Sequence, residues 1–217
     1  MTHNLQPRQK QNYNTLVIHS TDNSFGFGFR KNNDDRSDVF FIKEFDKDLC
    51  NNLIVDFNKF ISKENLEKVN KISVSIGPAN FNASRLIVVL ARTISQQINC
   101  PLDSFSSFEI MAKRIALKNN IFIKEKSFCI YKKLKRKGFI VGKYEIFDGA
   151  QNNEDLSIRE ILSPKVIKEL DSKELFFQAN YEDERDLKEF LDLSNKKLLN
   201  SNEWQKVLPL YLISPIN

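Results

Sequence analysis

The spacing of apolar residues changes from every second position to every fourth, and this change constrains the fold more than any other feature. Phenylalanines alternate with glycines over residues 25–29, which predicts a strand with one buried face and close backbone packing at the glycines. Strands are also predicted at residues 15–18 and 39–42, so three strands joined by turns begin the chain. A stripe with four-residue spacing follows and predicts an amphipathic helix over residues 46–62.

The next elements alternate between strand and helix. A strand at residues 72–76 precedes predicted helices at 82–98 and 105–118, and this order is typical of an α/β domain whose sheet is covered by helices. The later predictions are strands at 128–131, 139–147 and 175–177, helical pieces broken by Pro164 within 158–170, and a helix at 181–199. We therefore divide the chain into a tail (1–13), a first lobe (14–118) and a smaller, divergent second lobe (119–217).

Charge and cysteine content exclude several classes of protein. The formal net charge of +5 permits contact with RNA or an acidic partner without requiring either. Cys50, Cys100 and Cys129 lie far apart, which predicts neither a disulfide framework nor a zinc site and favours a reducing compartment. There is no signal-peptide core and no apolar run of the ~18 residues that span a membrane, so we expect a cytoplasmic protein without membrane contact.

The most informative stretch is GPANFNASR, residues 77–85, between a predicted strand and helix. Gly77 permits an unusual backbone angle, and Asn80 or Asn82 can cap the helix. Exposed amides at a helix start can bind anions, and Arg85 lies one turn farther on. A capped turn that only packs is the alternative interpretation.

This stretch resembles the signature of the TsaB (YeaZ) family, strand-GPGSFTGLR-helix, which Gly77, Pro78, Phe81 and Arg85 match in register. The opening strand also resembles that of the family, with His19 where the family has an aspartate. The other segments that follow the family order are residues 48–61, 100–108 and 209–212. Residues 120–200 match poorly.

The resemblance implies the actin/sugar kinase/Hsp70 (ASKHA) fold with two related lobes. It also implies a non-catalytic, cofactor-free subunit that supports a TsaD-like protein, which transfers the threonylcarbamoyl group to adenosine 37 of tRNA. The tRNA would be reached through that complex, with a TsaE-like ATPase and a second copy of the chain as further candidate partners. The alternatives are a stand-alone basic RNA-binding protein and a degenerate ATPase or peptidase-like enzyme of the same superfamily.

The resemblance places the joint with the partner in the first two helices of the first lobe. The second of these is apolar nearly all round, with a strip of small residues that would let a neighbouring helix approach. The alternative is that this helix is central in its own domain. The predicted interface comprises Leu49, Leu53, Phe57, Ala83, Ile87, Leu90, Ala91 and Ile94.

Two polar clusters invite other functions. The run from His19 to Asp22 holds a base, a nucleophile and an acid, but strand neighbours point to opposite faces, and a neutral imidazole cannot supply the negative charge that ATP-using relatives need. We therefore predict no catalytic residues, and the two histidines build no metal site. A predicted hairpin tip could contact tRNA phosphates or be a solvated turn without interleaved aromatics; it contains Lys132, Lys133, Lys135, Arg136 and Lys137.

Overall fold

The first of two β-sheets is built by the alternating segment at the start of the chain. The computed structural model describes residues 13–32, 34–45, 49–121, 125–135, 138–148, 156–196 and 204–212. The strands of the first sheet are β1 (Thr15–Ser20), β2 (Ser24–Lys31), β3 (Asp34–Glu44), β4 (Lys71–Ser75) and β5 (Leu102–Phe105). Their order is β3-β2-β1-β4-β5. The first three are antiparallel neighbours, which confirms the predicted meander, and β4 and β5 run parallel to β1.

Helices cover both faces of this sheet. The helices are α1 (Leu49–Phe60), α2 (Lys63–Glu67), α3 (Phe81–Gln97), α4 (Ser107–Lys118) and α5 (Asp183–Lys196), with a 3-10 turn at Trp204–Lys206. The apolar stripes of α1 and α3 share one core with Leu16 and Ile18 of β1. Val17, which lies between these two residues on β1, points to the opposite face of the sheet and packs against Leu187 and Leu191 of α5.

Glycines let α5 lie close to the sheet. A Cβ atom at Gly26 would lie 2.8 Å from Leu187 Cδ1, and one at Gly28 would lie 3.4 Å from Leu191 Cδ1. A side chain at Gly26 would therefore collide with α5, which confirms the close backbone packing predicted for the segment. Although α5 was assigned to the second lobe, it packs on the first sheet.

The second sheet has the order β8-β7-β6-β9. Its strands are β6 (Ser127–Leu134), β7 (Gly138–Asp148), β8 (Ser157–Ile167) and β9 (Phe176–Gln178). The strands β6, β7 and β8 are antiparallel neighbours, and β9 runs parallel to β6. Phe108, Met111 and Ile115 of α4 pack on one face of this sheet, against Phe128 and Ile130. Two mixed sheets covered by helices confirm the predicted ASKHA-type architecture.

The helical pieces predicted around Pro164 are wrong, because this segment is the strand β8. A proline cannot donate to a ladder, but β8 is an edge strand, and its pairing with β7 shifts register between Val141 and Lys143, opposite Pro164. The sequence also missed the short strand β5 and the helix α2. No helix among the described residues has the length and apolarity to cross a membrane.

Candidate functional site

The segment from Gly77 to Arg85 links β4 to α3, as predicted. Gly77 has a φ of 103°, a value that side chains with a Cβ rarely adopt. Asn80 is the cap of α3, and its Oδ1 accepts hydrogen bonds from the amides of Asn82 (3.1 Å) and Ala83 (3.2 Å). The amide of Ser84 donates to Asn80 O at 2.9 Å. Because these amides bond within the segment, the observed geometry favours the capped turn over an anion site.

This segment is held by several parts of the molecule. The amide of Ser107 donates to Gly77 O (2.7 Å), and that of Asn80 donates to Thr21 O (3.1 Å). The Tyr181 hydroxyl donates to Pro78 O. The segment therefore lies where β1, α4 and the residues before α5 meet, between the two sheets.

Two further contacts join the lobes beside it. Lys132 of β6 forms an ion pair with Asp22, in the turn after β1. The hydroxyl of Ser106 donates to Glu160 Oε2 of β8 at 2.6 Å. Side chains of the two lobes therefore bridge the two sheets on both sides of the Gly77–Arg85 segment.

His19 lies next to this junction but is closed off from it. Its side chain is 2% exposed, and neither ring nitrogen has a hydrogen-bond partner. The ring lies 6.1 Å from that of Phe190 of α5. Ser20 instead points towards α3, where its Oγ lies 3.4 Å from Ser84 Oγ. The cluster from His19 to Asp22 therefore does not converge, as the strand alternation predicted.

The predicted interface residues lie mostly in the core of this chain. Six of them are buried: Leu53, Phe57, Ala83, Ile87, Ala91 and Ile94. Leu90 is partly buried, and Leu49 begins α1, where its side chain lies outside the described residues. The strip of small residues on α3 faces the interior of this chain, since Ser84 Oγ lies 3.4 Å from Ser20 Oγ of β1 and Ser95 Oγ donates to Cys100 O at 2.5 Å. The six buried side chains belong to the core of this chain and not to a partner surface, because the apolar stripe of each helix packs on β1 and its neighbours.

Two solved structures from Pseudomonas aeruginosa share this architecture. An uncharacterized protein with similarity to peptidase YEAZ aligns at a TM-score of 0.65 and 11% identity, over 93% of this chain and 100% of that chain. YeaZ aligns at a TM-score of 0.62 and 11% identity, over 92% of this chain and 100% of its own. The chain has the YeaZ fold.

The likeness to YeaZ confirms the predicted resemblance at the level of the fold. The sequence matches no protein-family model. It matches no curated protein sequence either. At 11% identity, the likeness to YeaZ establishes architecture rather than activity.

The outward sides of the helices carry apolar residues that the sequence did not select. Ile54 and Val55 of α1 and Val89 of α3 are 58%, 48% and 60% exposed. The segment after the 3-10 turn adds Leu208 and Tyr211, and the Tyr211 ring lies 5.8 Å from that of Phe81. The positions of Ile54, Val55 and Val89 fall between the inward stripes of their helices, which is the signal that could have found these three residues. We call Ile54, Val55, Val89, Leu208 and Tyr211 the helical surface.

The Gly77–Arg85 segment lies beside the helical surface, because the Phe81 ring contacts that of Tyr211. The Arg85 guanidinium lies 5.4 Å from the centroid of the Phe81 ring. Arg92, two turns farther along α3, lies 5.4 Å from the Trp204 ring. Both are cation–π contacts, one with the first residue of α3 and one with the 3-10 turn at Trp204–Lys206. Arg85 therefore stacks on the surface rather than pointing to an anion.

The basic run is divided by strand alternation. Lys132 is paired with Asp22 and faces the first lobe, so its assignment to an RNA-contact group is corrected. Lys133 and Lys135 are exposed. Arg136 and Lys137 lie outside the described residues.

Thiols and metal ligands are sparse in the part of the chain that the structure describes. No group of three or more His, Cys, Asp or Glu side chains there is placed to hold a metal ion. Burial raises the pKa of the free thiols of Cys100 to about 12 and Cys129 to about 11. Both thiols are therefore protonated at neutral pH.

His19 gives the protein an acid sensitivity. Burial lowers its pKa from 6.5 to about 3, so the unfolded chain binds a proton below pH 6.5 that the folded chain does not. Stability from this group is present above pH 6.5 and falls as the pH drops towards 3. When the pH is lowered from 8 to 5, the unfolding free energy of the wild type should fall by about 2 kcal/mol more than that of His19→Leu. Urea titrations of both proteins at the two pH values measure this difference. Equal losses would show that His19 titrates normally in the folded chain.

Proposed function

We propose that this chain is a non-catalytic subunit that binds and supports a TsaD-like protein in threonylcarbamoyladenosine modification of tRNA. The observation that carries the proposal is the helical surface. Its α1 and α3 residues project from the two helices that form the partner joint in the TsaB (YeaZ) family, and the chain has the YeaZ fold over 92% of its length. Contiguous exposed apolar patches mark interaction sites, and the proposal takes the helical surface as such a patch.

The helical surface suits a helical partner. Val89 is flanked on α3 by Leu86 and Leu90, which are partly buried against the core and extend the apolar area around it. Tyr211 and Leu208 supply apolar and aromatic groups of the kind enriched at interface centres. The apolar residues of a TsaD-like helix pair would complete the burial of both sets. A second copy of this chain is the competing occupant, and a TsaE-like ATPase would join the assembly afterwards.

The state of His19 supports a non-catalytic role. A neutral, buried imidazole cannot hold the metal ion and phosphates that a carboxylate serves at the end of the first strand in ATP-using members of the superfamily. The carboxylate of Asp22 is engaged by Lys132. In this proposal the chain reaches tRNA through the complex, in the cytoplasm, and needs no cofactor of its own.

The test is co-expression with the TsaD homologue of the same organism, followed by size-exclusion chromatography. We expect the wild-type chain to co-elute with the homologue, and Ile54→Glu with Val89→Glu to elute separately, because two buried carboxylates would lack partners in the joint. Both substitutions are at exposed positions, so the variant should keep its melting temperature.

The matched control is Ile161→Glu, an exposed apolar position (46%) on the second sheet, which should co-elute like the wild type. Separate elution of two folded wild-type proteins would refute the proposal. Co-elution of the Ile54→Glu, Val89→Glu variant would refute the role of the helical surface. A wild-type homodimer that persists beside the homologue, and that this variant dissociates, would assign the surface to self-association.

A further inference from the structure

The face of the second sheet opposite α4 carries a cluster of aromatic rings. Cross-strand neighbours share a face, and the register pairs Lys133 with Phe139, Tyr131 with Val141, and Cys129 with Phe176. The alternate residues of β6, such as Phe128 and Ile130, belong to the core under α4. Tyr131, Phe139 and Phe176 therefore lie on the face of the sheet that is turned away from α4.

The Tyr131 ring on the central strand contacts one ring on each neighbouring strand. The Tyr131 centroid lies 5.9 Å from that of Phe139 on β7 and 6.2 Å from that of Phe176 on β9, with interplanar angles of 73° and 83°. All three residues are partly exposed. Edge-to-face contacts hold the rings in place while leaving ring surface open to a ligand. We call Tyr131, Phe139 and Phe176 the aromatic cluster.

Exposed lysines lie on the strands of the aromatic cluster and on the segments that follow them. Lys133 lies directly opposite Phe139, and Lys165 of β8 lies opposite Val141. The exposed lysines of these strands and of the segment that joins β8 to β9 are Lys133, Lys135, Lys165, Lys168 and Lys173. The exposed acidic residues of the joining segment are Glu169 and Asp171, and Glu174 is bonded to Lys143 at 2.6 Å. Positive charge therefore predominates around the rings.

We propose that this aromatic and basic face binds single-stranded nucleic acid. Unpaired bases have open π-faces that stack on aromatic side chains, while lysines neutralise the phosphates between them. A sheet that presents aromatic rings among basic residues is a known physical solution for single-stranded RNA. Duplex RNA has its bases stacked internally and cannot use the rings. A protein partner fits less well, because lysines are depleted at protein interfaces.

The site is independent of the helical surface, whose helical residues lie on α1 and α3 of the first lobe. It also differs from the basic run as the sequence presents it. Lys132 is excluded because it faces Asp22, and the aromatic residues join the lysines only through the pairing of β6 with β7 and β9. Loss of binding to a TsaD-like protein would therefore leave this proposal standing, and the reverse also holds.

The test measures fluorescence anisotropy with labelled oligo(U) of about 12 nucleotides, a length in the range of one small binding domain. A blunt RNA duplex of the same length is the comparison. We expect saturable binding of oligo(U), preference over the duplex, and affinity that falls with salt by a slope of about −0.7 per phosphate contact. Tyr131→Leu with Phe139→Leu should weaken binding about tenfold or more, because two stacking contacts are removed.

A second variant guards against misfolding. Lys133→Ser with Lys135→Ser changes only exposed side chains and should reduce the salt slope by about one to two contacts. Matched controls on the first lobe are Phe40→Leu, which removes a partly exposed ring of β3, and Lys63→Ser; both should bind like the wild type. No saturable binding at low salt, equal affinity for the duplex, or equal losses in the control variants would overturn the proposal.

Discussion

Replacing Arg114 with methionine is expected to lower the free energy of unfolding by about 3–5 kcal/mol, because it leaves a buried carboxylate without its partner. Arg114 of α4 donates from Nε (2.9 Å) and Nη2 (2.7 Å) to Asp186 Oδ1 of α5. Its other contacts are Glu182 Oε1 at 2.9 Å and Asn180 O at 2.8 Å. The Asp186 residue is fully buried, so water cannot replace these donors.

The loss should also depend on pH. Burial raises the pKa of Asp186 to about 6, and Arg114 opposes that rise. A carboxyl group whose pKa is raised on folding contributes stability below its unfolded pKa, and this is lost as the pH rises through its folded pKa. Without Arg114 the pKa rises further, so urea titrations should show a larger deficit at pH 8 than at pH 5.

The control for Arg114→Met is Arg159→Met. Arg159 pairs with Glu145 at 2.6 Å but is 61% exposed, so its removal should cost less than about 1 kcal/mol. Equal costs for the two variants, or a deficit in Arg114→Met that does not change with pH, would show that the buried pair does not hold α4 to α5.

Replacing Gly26 with valine is expected to destabilise the chain by about 3 kcal/mol, the upper part of the usual range for overpacking. A Cβ at this position would lie 2.8 Å from both Phe41 O and Leu187 Cδ1. The first is a backbone atom of the neighbouring strand and cannot rotate away, and the second anchors α5. The valine must therefore push α5 off the sheet or distort the pairing of β2 with β3.

Gly28→Ala is the matched control on the same strand and face. Its Cβ would meet the ends of Val17 and Leu191, at 2.8 and 3.4 Å, and these side chains can shift. We expect about 1 kcal/mol or less for this change, with melting temperature and urea midpoint as the measurements. If Gly26→Val is tolerated as well as Gly28→Ala, the close approach of α5 to β2 does not constrain that strand.

Periodicity predicted the elements of the first lobe well. Alternation over residues 25–29 and four-residue spacing over 46–62 each reflect a property of one segment, namely which of its residues share a face. The turn at Gly77 and the cap at Asn80 were also predicted, because a positive φ and orphan helix amides each favour a few residue types. Predictions failed where a segment carried a conflicting signal, as at Pro164, which a helix excludes but an edge strand with a register shift accepts.

Contacts between distant segments were beyond the sequence. Periodicity marks the inward stripe of α3, but an apolar stripe looks the same whether it packs on its own sheet or on a partner. The structure packs that stripe on the first sheet and leaves Val89 on the outer side. The aromatic cluster was invisible for the same reason, since Phe139 and Phe176 reach Tyr131 through strand pairing rather than proximity in the chain.

Local preference and tertiary pairing thus settle different parts of this molecule. Backbone sterics, caps and periodicity act within a few residues, so the amino-acid order alone specifies where most strands and helices lie. Which charges meet is set by the register of one sheet and the packing of two lobes, as when Lys132 reaches Asp22 across 110 positions of the chain. The aromatic cluster depends on such long-range pairings, and so it emerges only when the chain is folded.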